Sequence, residues 1–433
     1  MSIQDNSISI LKSNSIKDPV SNQLELLLIK KLFDSDHTLP SISKKLKLRP
    51  TKDWSSSQTP LIFSPQDRIS HLPDSILSHI LSFLPTHLAV RTTILSKRFN
   101  PVWLSIPTFN MFDLYRTALL HSAMLAMLSR HTKVPILSFR LKCTFPEVVD
   151  DLILAAATKG GGVQTIQLDL MYSSLEMKTL SNLHSCKTLT VLKLTNVAIK
   201  ESLSQIKLSF IKTLHLVDVI FKLSLHMINF FLGFPALEEL HTDLVYVLGR
   251  MDFVPYPMVK CLPNLLTANI SDIELTPLFH HSRSLILNLN KRPLLHIMHF
   301  PVFYNLTRIE LVINFEQTWH AKWKWILKIL QQSPNLQHLI IHQETETENG
   351  IDEKNWEDPP VVPECLLSQL RTCLFRLWRG TECELKFADY IMRNSKVLSS
   401  MTIRCSSSIS KNTKDEILHK LSICPRDCKL IFS

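Results

Sequence analysis

The sequence predicts an α/β protein, a small three-helix module followed by an irregular solenoid of parallel strands and helices. Three observations predict it. A leucine-based pattern, L-x-x-L-x-L with aliphatic substitutions, recurs between residues 136 and 345. Ahead of it, residues 72–103 hold closely spaced helical patterns punctuated by prolines. The composition, 45% hydrophobic and 20% charged, is that of a folded chain, which excludes a wholly disordered, collagenous or mucin-like protein. Glycine appears only 7 times in 433 residues, whereas leucine fills roughly one position in six, well above ordinary usage. So little glycine leaves few phosphate-cradling loops.

Residues 1–65 are rich in Ser, Lys, Asn and Asp, with one apolar stretch at Leu24–Phe33. Such a segment lacks the apolar area to offset its ordering entropy, so it is expected to be mostly disordered. Lys44, Lys45, Lys47, Arg49 and Lys52 form the densest basic cluster of a chain with net charge +10. It reads either as a nuclear-import signal or as a solvated stretch. No apolar run approaches the ~20 residues of a spanning helix, and the N-terminus lacks the pattern of a secretory signal. No membrane partner is expected, and nucleus and cytoplasm are both compatible. The nine cysteines are odd in number and irregular in spacing. They read as buried free thiols in a reducing compartment.

Residues 72–85 (LPDSILSHILSFLP) read as the first helix of the module. Pro73 suits the first helical position, and Asp74 suits the positive end of the helix dipole. Ile76, Leu77, Ile80, Leu81 and Leu84 recur at helical spacing and are read as one apolar face. Pro85 stops the helix. A second helix is expected over Leu88–Leu95, and Ser96 is placed to cap a third running toward Trp103. Three short helices bury little core, so the module needs a partner or the rest of the chain.

The repeat template then matches Ile136–Phe139–Leu141, Val163–Ile166–Leu168, Leu189–Leu192–Leu194 and Ile211–Leu214–Leu216. It continues at Leu237–Leu240 with Thr242 as a lapse, Leu265–Ala268–Ile270, Leu306–Ile309–Leu311 and Leu336–Leu339–Ile341. Leu285, Leu287 and Leu289 fill the one long gap. This period is that of a leucine-rich repeat. Ordinary sheet is the alternative that leucine alternation alone leaves open. Valines (Val197, Val219) stand where the repeat usually has asparagine, so the copies are degenerate. The middle residue of each L-x-L faces away from the core. The outward row is thus Arg140, Gln167, Lys193, His215, His241, Asn269 and Glu310, polar and mildly basic.

Residues 344–358 (ETETENGIDEKNWED) hold seven acids and one lysine and read as an acidic linker, with residues 346–358 as its core. Beyond it come a proline-rich run, a helical stretch around Phe387, Ala388, Tyr390 and Ile391, a repeat-type strand at Leu398–Met401–Ile403, a helix near Asp415–Ile423 and a strand at Lys429–Phe432. The last two are expected to close the solenoid, whose final repeat would otherwise expose its core.

Catalytic signals are weak. Gly160–Gly162 has no following Gly-Lys-Ser/Thr and reads as a turn. No G-x-S-x-G elbow exists. Cys424, Cys428 and His419 lack a second ligand pair at zinc spacing. His280 and His281 are adjacent and read as a loop. Trp319, Trp323 and Trp325 read as helix core rather than a stacking platform. No enzyme activity, cofactor or metal is expected.

Residues 67–103 (DRISHLPDSILSHILSFLPTHLAVRTTILSKRFNPVW) carry a longer motif. Its parts are Leu72-Pro73-Asp74, Ile80-Leu81 with Leu84-Pro85, Ala89-Val90 with Thr92, Leu95-Ser96-Lys97-Arg98, and Trp103. This stretch resembles the F-box. Ile106-Pro107-Thr108-Phe109 and Phe112-Asp113 resemble the residues just beyond the F-box in plant F-box/FBD/LRR-repeat proteins. Val362-Pro363-Glu364-Cys365-Leu366, Trp378 with Gly380, Ala388 with Tyr390-Ile391, and Met401-Thr402-Ile403 resemble their FBD domain. Phe99 departs from the tryptophan usual after Lys-Arg. Pro101 falls inside the expected third helix, where an interior proline costs about 3 kcal/mol.

The resemblance divides the chain into an extension (1–65), an F-box (66–112), leucine-rich repeats (113–345), the acidic linker (346–358), and an FBD domain with terminal cap (359–433). It implies a substrate receptor of an SCF-type cullin–RING ubiquitin ligase. Leu72, Pro73, Ile76, Ile80, Leu81 and Leu84 would contact a Skp-type adaptor, and through it the ligase. The outward row would contact an unidentified protein target. A repeat scaffold outside any ligase is the alternative. A nucleic-acid partner, suggested only by net charge, has no reading motif behind it.

Overall fold

The structure is a computed structural model. It describes residues 69, 71–111, 134–142, 149–150, 153–154, 162–174, 182–200, 207–248, 262–271, 278–289, 301–313, 319–343, 358–406, 411–423 and 428–432. The N-terminal extension with its basic cluster, Phe112-Asp113, most of Leu152–Ala157, Gly160, Gly161, Cys424 and residues 344–357 of the acidic stretch lie outside these. The chain forms two compact units, residues 1–142 with 158–160, and residues 143–157 with 161–433.

The first unit opens with helices α1 (Asp74–Leu81), α2 (Thr86–Arg91) and α3 (Phe99–Leu104), with a 3-10 turn at Thr92–Ile94. Pro73 and Pro85 precede α1 and α2 as cap residues with extended backbone. Pro73 thus sits one position earlier than expected, and Asp74 takes the first helical place. The second helix starts before its expected bound because Pro85 already caps it, and ends before it because Thr92 turns the chain into 3-10 geometry. Pro101 is the third residue of α3. In a first turn no N–H has an intrahelical acceptor, so the proline disrupts nothing. Ser96 Oγ accepts from Arg98 N at 3.3 Å just ahead of it. Leu77, Leu81, Ala89, Val90, Phe99, Val102, Trp103 and Ile106 form one core, with Leu72, Leu84 and Leu104 packed against it. Phe99 is buried in that core, in the place of the expected tryptophan.

Asp74 and Arg98, from opposite ends of the motif, meet at 2.7 Å, and Arg98 also donates to Leu72 O. Strands β1 (Thr108–Met111) and β2 (Ser138–Lys142) pair in parallel in this unit. Thr108 Oγ1 donates to Ser82 O at 3.0 Å, and Asn110 N donates to Thr86 Oγ1 at 2.8 Å. These bonds tie β1 to the helices, and sequence reading had not placed a strand there.

The second unit is the repeat array. Its strands are β3 (Thr165–Ser174), β4 (Val191–Ile199), β5 (Thr213–Phe221), β6 (Glu239–Val247), β7 (Thr267–Ile270), β8 (Ser284–Leu289), β9 (Arg308–Ile313), β10 (His338–Gln343), β11 (Thr372–Trp378), β12 (Ser400–Cys405) and β13 (Lys429–Phe432). Each pairs in parallel with the next in sequence. The fold is therefore α/β with a parallel strand ladder of leucine-rich-repeat type. The inward residues of the template, from Ile166 and Leu168 to Met401 and Ile403, are all buried. Each large aliphatic so buried contributes roughly 1.5–3 kcal/mol. Thr242 takes an inward place with no exposed surface.

The valines that replace the usual asparagine have a structural reason. Asn196, Asp218 and Leu244 hold left-handed backbone at φ 51, 54 and 55. One such residue shifts the two-residue alternation by one place. Val197 and Val219 therefore point inward, fully buried, where unbroken alternation would send them out. Asparagine is used instead in the turns before strands, where Asn264, Asn305 and Asn335 each donate to a carbonyl of the preceding turn.

Helices α4 (Ser224–Leu232), α5 (Trp319–Gln331), α6 (Glu364–Ser368), α7 (Glu382–Asn394) and α8 (Lys411–Ile423) link strands. The three tryptophans of α5 are buried as expected. Trp319 lies against Phe375 and Phe387, and Trp323 against Phe387 and Tyr390. Helix α7 begins with a capping box between Thr381 and Glu384. Residues 359–433 add β11, β12 and β13 to the same ladder. The copy Leu370–Cys373–Phe375 under β11 escaped the template because cysteine and phenylalanine replace its aliphatics. Strand β13 is one further rung beyond α8.

Candidate interaction surfaces

Two stripes run along α1, and the sequence reading had merged them. Leu77, Leu81 and Leu84 recur at i, i+4 and i+7 and turn into the core. Ile76, Ile80 and Phe83 recur at the same spacing one residue earlier and are exposed, Phe83 to 74%. Of the six residues expected at the adaptor contact, Pro73, Ile76 and Ile80 are exposed, Leu72 and Leu84 are half-buried against the core, and Leu81 is 4% exposed. Leu81 is therefore corrected to a packing residue, since a side chain that fills the module's own core has no surface to offer. Phe83, Ile94 (62% exposed) and Leu95 are further exposed apolar side chains that the sequence reading does not single out. The i+7 spacing from Ile76 was the signal for Phe83. The two after α2 had none, because the helix expected over Leu88–Leu95 gave them helical phase. His79 packs edge-on against Phe83, ring centres 5.0 Å apart.

On the second unit the outward row falls in register. Gln167 pairs with Lys193, Lys193 with His215, His215 with His241, and His241 with Asn269. The ladder then runs through Ile286 to Glu310, so the expected order holds with one apolar rung that had been passed over. Arg140 lies in the first unit, exposed and paired with Asn110. His215 and His241 have ring centres 5.3 Å apart. Desolvation, then the charges of Lys193 and His241, lower the His215 pKa to about 4, so the ring is neutral at physiological pH. Glu310 is committed to Arg376 at 2.8 Å, with Arg308 at 3.9 Å.

The row alone misjudged the charge. The flanking outward positions on β3–β8 add Glu239 and Asp243 against Lys193 as the one formal cation, while Asp169 is buried and accepts from Met171 N and Asn196 Nδ2. That part of the face is mildly acidic rather than mildly basic. The central residue of each strand does not set the charge alone, because its two outward neighbours share the same face.

Among the described residues, no group of three or more His, Cys, Asp or Glu is placed to hold a metal ion. His280 and His281 have touching rings, and Asn305 Nδ2 lies 3.5 Å from His281 Nδ1. The described cysteines are free thiols. Burial raises the pKa of Cys365 and Cys373 to about 12, which keeps both protonated and unreactive. No described helix is long and apolar enough to cross a membrane.

A module with an exposed apolar stripe and an array of parallel strands with a continuous outward face define a class, repeat proteins with extended surfaces. The comparisons narrow that class. Residues 358–403 match the FBD family. The chain is 28% identical over 410 residues to an F-box/FBD/LRR-repeat protein of Arabidopsis thaliana, covering 82% of this chain and 89% of that protein. A second such protein of the same plant is 29% identical over 408 residues, covering 78% and 86%. An FBD-associated F-box protein, also from Arabidopsis thaliana, is 25% identical over 419 residues and is covered over its whole length. The chain carries an FBD segment and is a relative of the plant F-box/FBD/LRR-repeat proteins, as its motifs predict.

Proposed function

We propose that this chain is a substrate-receptor subunit of an SCF-type cullin–RING ubiquitin ligase, acting in the nucleus or cytoplasm. The observation that carries the reading is the stripe Ile76, Ile80 and Phe83, apolar and exposed on a module whose interior is already full. Contiguous apolar surface of this kind marks a partner site. The partner is a Skp-type adaptor, and Pro73 extends the contact at the start of α1. The chain performs no chemistry of its own. It raises the effective concentration of a bound target near the ubiquitin carrier. The target docks on the strand face of β3–β13.

Co-purification of the full-length chain with a Skp-type adaptor tests this, beside an Ile80→Asp, Phe83→Asp variant. Both side chains are exposed, so the variant keeps its core. Adaptor bound by the wild type and lost from the variant supports the reading. Adaptor bound by neither overturns it and leaves a repeat scaffold that joins no ligase. Phe99 and Pro101 do not favour that second reading, since one fills the core and the other sits in a first helical turn.

A further inference from the structure

The strand face of the second unit divides by charge. On β9–β13 the outward strand positions hold Arg308, Arg376, Arg404 and Lys429 against one acid, Glu310. Arg376 stands in register with Arg404 on one side and with His342 on the other. Like charges directly opposite one another destabilise a sheet. Where a sequence breaks such a rule, function is the usual compensation. Glu310 offsets Arg376 and Arg308, the cations within its reach. Arg404 is exposed and, among the described residues, has no acidic partner. The same positive field is felt at His338, whose pKa is lowered by desolvation and then by Arg308 and Arg371. Beside the two arginines, two residues earlier along the same strands, lie Leu374 and Thr402, in register and half-buried.

We propose that this end of the strand face, centred on Arg376 and Arg404, takes an acidic segment of the target protein, a stretch bearing two or more carboxylates. The inference rests on the reading of the strand face as the target surface and names the chemistry that surface selects. Guanidinium forks match carboxylates in two-bond geometry. Leu374 supplies an apolar floor for the stems of the acidic side chains. The acidic outward positions of β3–β8 repel the same segment, which confines it to the arginine end. A nucleic acid fits less well. The outward positions of β9–β13 hold no Phe, Tyr or Trp on which a base would stack, and Glu310 stands in the path of a phosphate backbone.

Fluorescence anisotropy on the full-length chain tests the proposal with three labelled probes, an oligoglutamate peptide, an oligoglutamine peptide of equal length and a short single-stranded DNA. The oligoglutamate should bind best. Arg404→Ala should weaken it about tenfold, the loss expected for one charge-assisted contact. Lys193→Ala, at the far end of the ladder, should change it little. Equal binding of the two peptides, equal loss from both variants, or tighter binding of the DNA would each overturn the proposal. Adaptor co-purification from the same preparations reads the three-helix module alone. A chain that holds the adaptor but not the oligoglutamate defeats this inference and spares the ligase reading. The converse pattern defeats the ligase reading and spares the acidic-segment site.

Discussion

Arg376 crosses strand β10 to set its Nη1 2.8 Å from Glu310 Oε1. Ile340, in register with Glu310 on the crossed strand, points outward and yet is 5% exposed. The ion pair thus accounts for an aliphatic side chain lying buried on a strand face. It also fixes the guanidinium beside Arg404.

Loss of this pair should be felt in stability. The Glu310 side chain is 14% exposed and that of Arg376 34%, between an exposed pair at ~0–1 kcal/mol and a buried pair broken at ~3–5 kcal/mol. Glu310→Gln should therefore destabilise the second unit by about 2 kcal/mol, measured by urea unfolding, and Arg376→Met should recover part of that in the double variant. A cost within error of zero would mean that solvent already screens the bridge.

The two stripes of α1 give an opposed pair of outcomes. Leu81→Ala removes a core side chain and should cost ~2–5 kcal/mol. Ile80→Ala removes an exposed one and should stay within ~0.5 kcal/mol. Hydrogen exchange across α1–α3 would separate them, with protection lost in the first and kept in the second. Equal loss in both would refute the assignment of inward and outward stripes.

This contrast shows what the sequence made legible and what it did not. Periodicity placed the ladder, because every inward residue of a repeat obeys the same solvent penalty. It also set Gln167, Lys193, His215, His241 and Asn269 in one row. It failed at α1, where apolar residues fill adjacent stripes and spacing alone does not say which faces water. Cys373 and Phe375 hid β11 by satisfying burial without leucine. Asn196, Asp218 and Leu244 were invisible as left-handed positions, since only the first two are residues that favour that backbone. Salt bridges between strands far apart in sequence, such as Glu310 with Arg376, leave no local signature at all.

His215 sets a direction for acid sensitivity. Its folded pKa is about 4, below the 6.5 of the free side chain. Above about pH 6.5 the ring is neutral in both folded and unfolded chains, and it contributes no pH dependence. As pH falls from about 6.5 toward 4, the unfolded chain takes up a proton that the folded chain refuses, so stability declines through that window. His215→Gln should flatten that part of the stability curve, seen by urea unfolding at stepped pH. An unchanged slope would assign the acid sensitivity to other groups.

Thr242 carries the last prediction. It stands inward on β6, in register with Leu216 on β5 and Ile270 on β7. It is fully buried, and among the described residues its hydroxyl has no hydrogen-bond partner. A buried hydroxyl without a partner costs roughly 1–3 kcal/mol relative to water. Valine keeps the branched shape and removes the polar atom, and β-branched residues suit a strand. Thr242→Val should therefore stabilise the second unit by about 1 kcal/mol, read as a higher urea midpoint with an unchanged slope. Thr242→Leu should gain less, because the added carbon must fit a packed interior. Its neighbour His241 faces the opposite side of the strand, so oligoglutamate binding at the arginine end should not change. A lower midpoint for Thr242→Val would show that the hydroxyl is satisfied after all, and that this lapse in the leucine pattern is a bonded position.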